Sequence, residues 1–447
     1  MKIGLLALSG IRAHDPELLR RGLTLPGFVE RSKQVAMLPS LGLLQLAAAT
    51  PPGHELAYYE ASEDRAEPEA LYDCDLVAIS TFSAQIFEAY SIADRLRAAG
   101  VKVALGGLHV SALPDEAAAH ADYVAVGEGE HVWPQIVEAA ERNAAPRTFA
   151  SRDAAPVDVS RLPVPRYDLL HDRPYNRFTV QTSRGCPWRC DFCASTVMLS
   201  ERYRKRPVED VVRDILAIRT LRPNAFIEFA DDNTFVDKAW GKELCRALAP
   251  LGVKWFTETD LSVADDEELL ELIAASGCRQ LLIGLESPDA STLDGLELRT
   301  NFKARRAGQA AEAVERIQAA GVTVNGCFIL GLDRHDRGVF ERVREFAERT
   351  HLFEVQITYL TAFPGTPLYE RLAGEGRLLQ PRRWDLCTLF DVNFQPRLMT
   401  PEELRAGFYA LTEQLYSREA LERRRAPFFS RAVRRARRAG ESDRVTV

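Results

Sequence analysis

Short apolar runs alternate with amphipathic stretches along almost all of this 447-residue chain, and that alternation leaves few folds open. Apolar runs at 2–8, 55–60, 76–81, 102–106 and 123–127 are separated by 41–50, 85–99, 114–121 and 131–142, where apolar side chains recur every three or four residues. Buried strands taking turns with helices predict a doubly wound parallel sheet over 1–143. Ligands of such sheets sit beyond the carboxyl ends of the strands. Here those ends read Ser80-Thr81-Phe82-Ser83, Gly106-Gly107-Leu108-His109 and Gly127-Glu128-Gly129-Glu130. Small, hydroxylated and glycine-rich segments of this kind admit a large planar or phosphate-bearing ligand, and they equally suit tight strand-to-helix turns.

Residues 144–176 lose the periodicity and carry five prolines between Pro146 and Pro174, which predicts a linker. The alternation then resumes with a longer period. Strands are expected at 178–182, 226–230, 255–259, 280–285, 323–330 and 355–360, with helices at 208–221, 238–248, 265–275, 304–320 and 338–349. Six parallel strands with outer helices predict a partial or full TIM-like barrel over 177–385, its active site at the C-terminal strand ends. A helical extension over 386–447 begins at Thr400-Pro401-Glu402-Glu403, an N-cap with proline in the first turn. The fold class is therefore α/β.

Apolar residues make up 46% and charged residues 27% of the chain, a globular balance. No run of about 18 uncharged apolar residues occurs, and the apolar N-terminus is interrupted by Arg12, His14 and Asp15, so a cytoplasmic protein is expected. A net charge of −7 argues against a partner held by bulk positive charge, nucleic acid above all. The C-terminal run from Arg423-Arg424-Arg425 to Arg434-Arg435-Ala436-Arg437-Arg438 is basic nonetheless. It suits an anionic membrane surface, met peripherally, a polyanion or an acidic redox partner; a solvated, frayed helix is the plainer reading.

Five of the eight cysteines, Cys74, Cys245, Cys278, Cys327 and Cys387, are scattered singly among apolar neighbours as core thiols are. The other three, Cys186, Cys190 and Cys193, crowd onto one loop directly after the first barrel strand. Zinc usually takes four closed ligands, and no second Cys/His pair follows at a suitable distance. A disulfide would strand one thiol. A [4Fe-4S] cluster held by three thiolates keeps one iron open to a substrate or cofactor.

Cys186-x-x-x-Cys190-x-x-Cys193, with Phe192 before the third cysteine and Gly185-Cys186-Pro187 at the start, resembles the signature of the radical SAM superfamily. The resemblance implies that the open iron chelates S-adenosylmethionine (SAM) and that one electron cleaves it to methionine and a 5'-deoxyadenosyl radical. Further segments fit the family's SAM contacts: Asp231-Asp232 after the second strand, Glu286-Ser287 ending the fourth, and Gly326 through Gly331 on the fifth. Asp, Asn and Ser are also ordinary capping residues. The pair Asp231-Asp232 departs from the glycine-rich form of the second-strand motif. Together with the glycine-rich N-terminal domain, the chain resembles the cobalamin-binding class of the superfamily, in the branch of the hopanoid methylases and porphyrin cyclases. That implies a cobalamin domain with loops at Ser80, Thr81, Gly106, Gly107, His109, Gly127 and Glu128.

Asp333-Arg334-His335-Asp336-Arg337-Gly338 satisfies the D-x-H-x-x-G pattern by which many cobalamin proteins offer a histidine to cobalt, but it follows the fifth barrel strand and so lacks the required context. The expected reaction is cobalamin-dependent C-methylation of a small-molecule substrate. A radical dehydratase, deoxygenase or cyclase with a cobalamin-free N-terminal domain is the alternative. Either needs a low-potential electron donor, such as a flavodoxin, a ferredoxin or a dedicated reductase. Glu228, Glu258 and Asp260 are candidate contacts to an amine or hydroxyl-rich substrate, or else strand-end caps and arginine partners. Tyr359 is either packing or a group able to relay a radical.

Overall fold

The computed structural model describes residues 1–10, 13–21, 38–62, 67–151, 156–170, 173, 175, 177–195 and 202–438. The chain divides into two compact units, one of Met1–His14, Gln34–Asp232 and Thr361–Asn393, the other of Asp15–Lys33, Asn233–Leu360 and Phe394–Val447.

The first unit is built on a parallel sheet of β1 (Lys2–Ser9), β2 (Glu55–Ser62), β3 (Leu76–Ser80), β4 (Lys102–Gly106), β5 (Tyr123–Val126) and β6 (Arg147–Ala150), in the order β2-β1-β3-β4-β5-β6. Helices Leu41–Ala49, Ile86–Ala98 and Gly129–Glu141 connect and cover it. Ile3, Leu5, Leu6, Leu76, Val77, Val103 and Leu105 are fully buried, which is why these strands read as unbroken apolar runs rather than alternating ones. At the β4 turn Gly107 takes φ +107°, and a Cβ there would stand 2.7 Å from the Thr81 carbonyl oxygen. Only glycine fits so close a backbone approach.

Two features depart from the sequence reading. The proline-rich stretch opens with a strand, β6, of which only Phe149 is buried. Residues after Gly107 turn at once into a short helix, Leu108–Ala112.

The same unit holds a second parallel pair, β7 (Arg177–Val180) with β10 (Phe226–Phe229), and a short antiparallel ladder of β8 (Ser183–Arg184) with β9 (Arg204–Lys205). That ladder closes the base of the loop carrying the three cysteines. Beneath it the buried Arg206 pairs with the buried Asp214 at 2.5 Å and donates to the Gln181 carbonyl.

In the second unit β11 (Lys254–Thr259), β12 (Cys278–Glu286), β13 (Thr323–Leu330) and β14 (Glu354–Tyr359) pair in parallel, each with its neighbour in chain order. Helices Lys238–Leu248, Glu267–Ala275, Ala310–Ala320 and Val339–Arg349 alternate with them. The expected helix over 304–320 is split into Phe302–Arg306 and Ala310–Ala320. Asp237 and Asp266 cap their helices by accepting from the Trp240 and Leu269 N–H groups. One face of the sheet is apolar and carries helices: Phe328 packs on Phe346 and Tyr359 stacks against Phe408 at 4.2 Å. On the other face Gln280, Leu282, Cys327 and Gln356 are half-buried and Glu258 is exposed.

Thr400 closes a complete capping box with Glu403 at the start of helix Pro401–Tyr416, as its sequence predicts. The following helix, Arg418–Arg438, spends its first arginine triplet internally. Arg423 pairs with Glu348, Arg425 with Glu354, and Arg424, 1% exposed, donates to the Leu352 and Leu415 carbonyls. Arg424 and Arg425 are thus taken up within the fold, while Arg423 stays 59% exposed beside its partner; of the second cluster, the side chains of Arg435, Arg437 and Arg438 lie outside the described residues. Among the described residues no helix is long and apolar enough to cross a membrane.

At Gly277, which has φ +96°, an added Cβ would stand 2.1 Å from the Val253 carbonyl oxygen, whereas at Gly308 nothing lies within 4 Å. Gly277→Ala is expected to lower unfolding stability by more than about 2 kcal/mol and Gly308→Ala by less than about 0.5 kcal/mol, read as urea midpoints.

Candidate active site

The loop between β8 and β9 carries all three clustered thiols. Gly185 enters it with φ +86°, Cys186 and Cys193 are half-buried, and Cys190 is 7% exposed. The Cys193 N–H donates to the Cys190 carbonyl at 3.2 Å, so Cys190-Asp191-Phe192-Cys193 is a tight turn with a half-buried Phe192. Asp191 is clamped from helix Pro367–Gly374, accepting from Arg371 at 2.8 Å while its carbonyl receives the Leu368 N–H.

Two adjacent carboxylates after β10 hold this loop in place. Asp231, 5% exposed, accepts the Thr182 and Ser183 N–H groups at 2.8 and 2.9 Å on one oxygen and the Thr182 hydroxyl on the other. Asp232 accepts the Gly185 N–H at 2.9 Å and the Ser195 hydroxyl, joining the two ends of the cysteine loop. Asp231 thus anchors the base of the cysteine loop, a role that the sequence reading of it as a SAM contact did not include. Among the described residues no group of three or more His, Cys, Asp or Glu side chains is gathered as a metal site. The three thiols stand on one loop rather than at one point. As a donor set, three thiolates without a competing carboxylate or imidazole fit an iron–sulfur cluster better than a hard cation.

Beside the loop lies a cavity of about 290 Å³ in the first unit. Ser80, Gly106, Gly107, Gly127 and Glu128 line it from the sheet, Leu43, Leu46 and Trp133 from the helices, and Gln181, Arg184, Ser195 and Asp232 from the surroundings of the cysteine loop. The glycines matter sterically: a Cβ on Gly127, at φ +86°, would stand 2.3 Å from the Ser151 hydroxyl. Glu128 accepts from Arg184 at 2.9 Å, from Arg204 at 2.6 Å and from the Val157 N–H at 2.8 Å, while Arg184 also reaches Glu130 at 2.7 Å. Burial pushes the Glu128 carboxyl up, but the hydrogen bonds from Arg204 and Arg184 outweigh it and hold the group below its ordinary value. Thr81 and His109 do not line the cavity. Thr81 is buried against Gln85, and His109, fully buried, sits between Ser83 at 3.1 Å and Glu116 at 3.2 Å, because helix Leu108–Ala112 folds it back under the sheet.

In the second unit, Glu286 adopts φ +60° at the end of β12 and accepts from Lys303 Nζ at 2.6 Å; Lys303 also donates to the Gly284 carbonyl. Ser287 follows it, 4% exposed. Gly326 and Gly331 are closely packed: a Cβ would meet Leu285 and Leu352 at 2.9 Å in the first case and the Phe394 ring at 2.6 Å in the second. Tyr359 stands on the helix-carrying face, packed against Phe408, which is the packing alternative of the sequence reading. Asp260 is a cap, accepting from the Ser262 N–H and Asn233, and Glu228 pairs with Arg177 at 3.0 Å. Of the three carboxylates proposed for substrate, only Glu258 is exposed.

The sequence reading missed Arg184, Ser195 and Lys303. Arg184 carries the weak signal of standing beside Gly185-Cys186; Lys303 carries none, since it lies 17 residues from its partner.

Three family models match the chain: a B12 binding domain over 34–137, the radical SAM superfamily over 180–347, and a domain of unknown function over 366–446. An uncharacterized methyltransferase of Synechocystis is 31% identical over 80% of this chain and 67% of its own length. The chain belongs to the cobalamin-binding class of radical SAM enzymes. Its relatives include a bacteriochlorophyllide d C-12(1)-methyltransferase of Chlorobaculum tepidum, 25% identical over 86% of this chain and 84% of that one, and a hopanoid C-2 methylase of Rhodopseudomonas palustris, 27% identical over 77% and 66%. In fold, this radical SAM enzyme is similar to TsrM of Kitasatospora setae, solved with cobalamin and a [4Fe-4S] cluster, at TM-score 0.68 and 17% identity over 94% of this chain and 90% of that one. Its cofactors are accordingly a [4Fe-4S] cluster, SAM and cobalamin.

Replacing Asp232 with alanine is expected to at least halve the iron bound after anaerobic reconstitution, with Asp232→Asn intermediate; Cys190→Ala should abolish 5'-deoxyadenosine formation. A folded Glu128 carboxyl held below its unfolded value stabilises the protein above the ordinary glutamate range, and that contribution is lost as pH falls through the folded value. Glu128→Gln should therefore lower the urea midpoint at pH 7, with the gap from the parent protein closing on acidification below about pH 4.

Proposed function

We propose that the enzyme C-methylates a small-molecule substrate, with the three thiolates Cys186, Cys190 and Cys193 holding the cluster and the glycine-lined cavity receiving part of the cobalamin. The observation that carries this reading is the composition of one cavity wall: Ser80, Gly106, Gly107 and Gly127 of the cobalamin-type sheet share it with Arg184, Ser195 and Asp232 around the cysteine loop. Bound there, the cluster supplies the electron that cleaves SAM to a 5'-deoxyadenosyl radical, and cobalamin supplies the methyl group delivered to the substrate carbon.

The chain's own contribution is placement. Gly107 and Gly127 line the cavity in left-handed turns at the strand ends, packed so closely on Thr81 and Ser151 that a Cβ has no room. The network Arg204–Glu128–Arg184–Glu130 keeps four charges paired beside the cavity, so its wall presents little net field to a bound group. Asp232 fixes both ends of the cluster loop against the same wall. SAM is assigned to Glu286 and Ser287 after β12, with the Glu286 charge balanced by Lys303. For the substrate, the exposed Glu258 on a face that also presents Gln280 and Gln356 suits an amine or a hydroxyl-bearing molecule. A low-potential protein donor supplies the electron. The methyltransferases among its relatives favour methyl transfer over dehydration or cyclisation.

Ser80→Phe fills the cavity at the end of β3. Produced anaerobically with cobalamin supplied, the parent protein should carry close to one corrin per chain, and this variant at least about tenfold less with iron and sulfide unchanged. A parent protein with an intact cluster and no corrin would overturn the reading.

A further inference from the structure

The D-x-H-x-x-G sequence leaves a histidine to be explained. His335 is 1% exposed and lies in a turn whose ends are doubly tied: its own N–H donates to the Leu332 carbonyl at 2.8 Å, and the Leu332 N–H donates to its ring Nδ1 at 3.3 Å. An Nδ1 that accepts carries no proton, so in the neutral ring the proton is on Nε2. Nε2 stands 3.2 Å from the Ser287 hydroxyl oxygen. Burial first, and then Arg342, push the imidazole down to about 3, with Asp336 opposing; Arg342 is itself held by Asp289 and Asp336, at 2.6 and 2.9 Å. The ring is thus neutral at any working pH.

The consequence falls on Ser287. Its oxygen accepts from His335 Nε2–H and, at 3.2 Å, from the Asp289 N–H. Both lone pairs are then occupied, and the remaining valence is the O–H proton. Ser287 is left as a donor, at the C-terminal end of β12, where parallel β/α folds place their ligands.

We infer that His335 is a positioning residue that fixes Ser287 as an obligate hydrogen-bond donor to an acceptor oxygen of SAM, in its carboxylate or ribose. This rests on the assignment of Ser287 to SAM given above. It also accounts for a buried histidine that matches a cobalt-ligand pattern while facing a serine.

The test uses the full chain with its cluster reconstituted anaerobically. Equilibrium dialysis gives the Kd for SAM, and the rate of SAM cleavage, followed as released 5'-deoxyadenosine, gives KM and kcat. His335→Phe should weaken SAM binding about tenfold with kcat at saturating SAM nearly unchanged. His335→Gln, whose amide N–H can reach the same oxygen, should lose no more than about threefold. The double variant Ser287→Ala with His335→Phe should match Ser287→Ala alone. In the parent protein, 15N shifts should show a neutral Nε2–H ring at His335 from about pH 5.5 to about pH 8.5, a measurement that stands even if His335→Phe does not fold. Unchanged SAM affinity in Ser287→Ala would overturn the Ser287 contact, and this role with it. A weakened Ser287→Ala beside an unaffected His335→Phe, losses that add in the double variant, or an Nδ1–H ring would overturn the role of His335 alone.

Discussion

Two neighbouring carboxylates, Asp231 and Asp232, are the constraint on which the cysteine loop depends. They divide the anchoring between them: Asp231 reaches Thr182 and Ser183 at the start of β8, while Asp232 reaches Gly185 and Ser195. Hydrogen bonds from backbone N–H groups to an ionised carboxylate contribute on the order of 1.5–3 kcal/mol each, more than neutral ones. A loop rich in glycine and proline has little propensity of its own to hold a shape. Here its form is imposed from outside, by the strand end next to it and by the β8–β9 ladder below.

The same economy shapes the cavity beside the loop. Gly106, Gly107 and Gly127 at the strand ends line it, and its charged rim is internally balanced. Glu128 is bound from three directions, by Arg184, Arg204 and the Val157 N–H, which ties a strand-end loop of the sheet to the chain on either side of the cysteines. In a partly buried setting, charges paired in this way stay ionised and immobile.

Much of the architecture was legible in the sequence because buried parallel strands announce themselves as continuous apolar runs. Strand β13 and helices Val208–Leu221 and Lys238–Leu248 coincide with their expected bounds. Strand β6 was not legible, since an edge strand that buries only Phe149 offers no run to see. The cysteines were legible by spacing alone. Less so were the faces: Gly326, Phe328 and Leu330 alternate on the helix-carrying side of β13, in register with Val355, Ile357 and Tyr359 of β14, so a period-of-two count separates Tyr359 from Cys327 and Gln356. The partners of Asp231 and His109 were not legible for a different reason. What decides their roles is a backbone N–H or a carboxylate distant in the chain, and nothing local encodes it.

The open face of β11 to β14 carries its polar groups on side chains, whereas the cysteine loop is held by backbone N–H groups received by Asp231 and Asp232. Mutation rewrites side chains freely and leaves backbone donors where they are. Substitutions within the loop therefore leave these main-chain donors in place so long as Asp231 and Asp232 remain, whereas on the open face every polar group, Glu258, Gln280 and Gln356 included, changes with its own side chain.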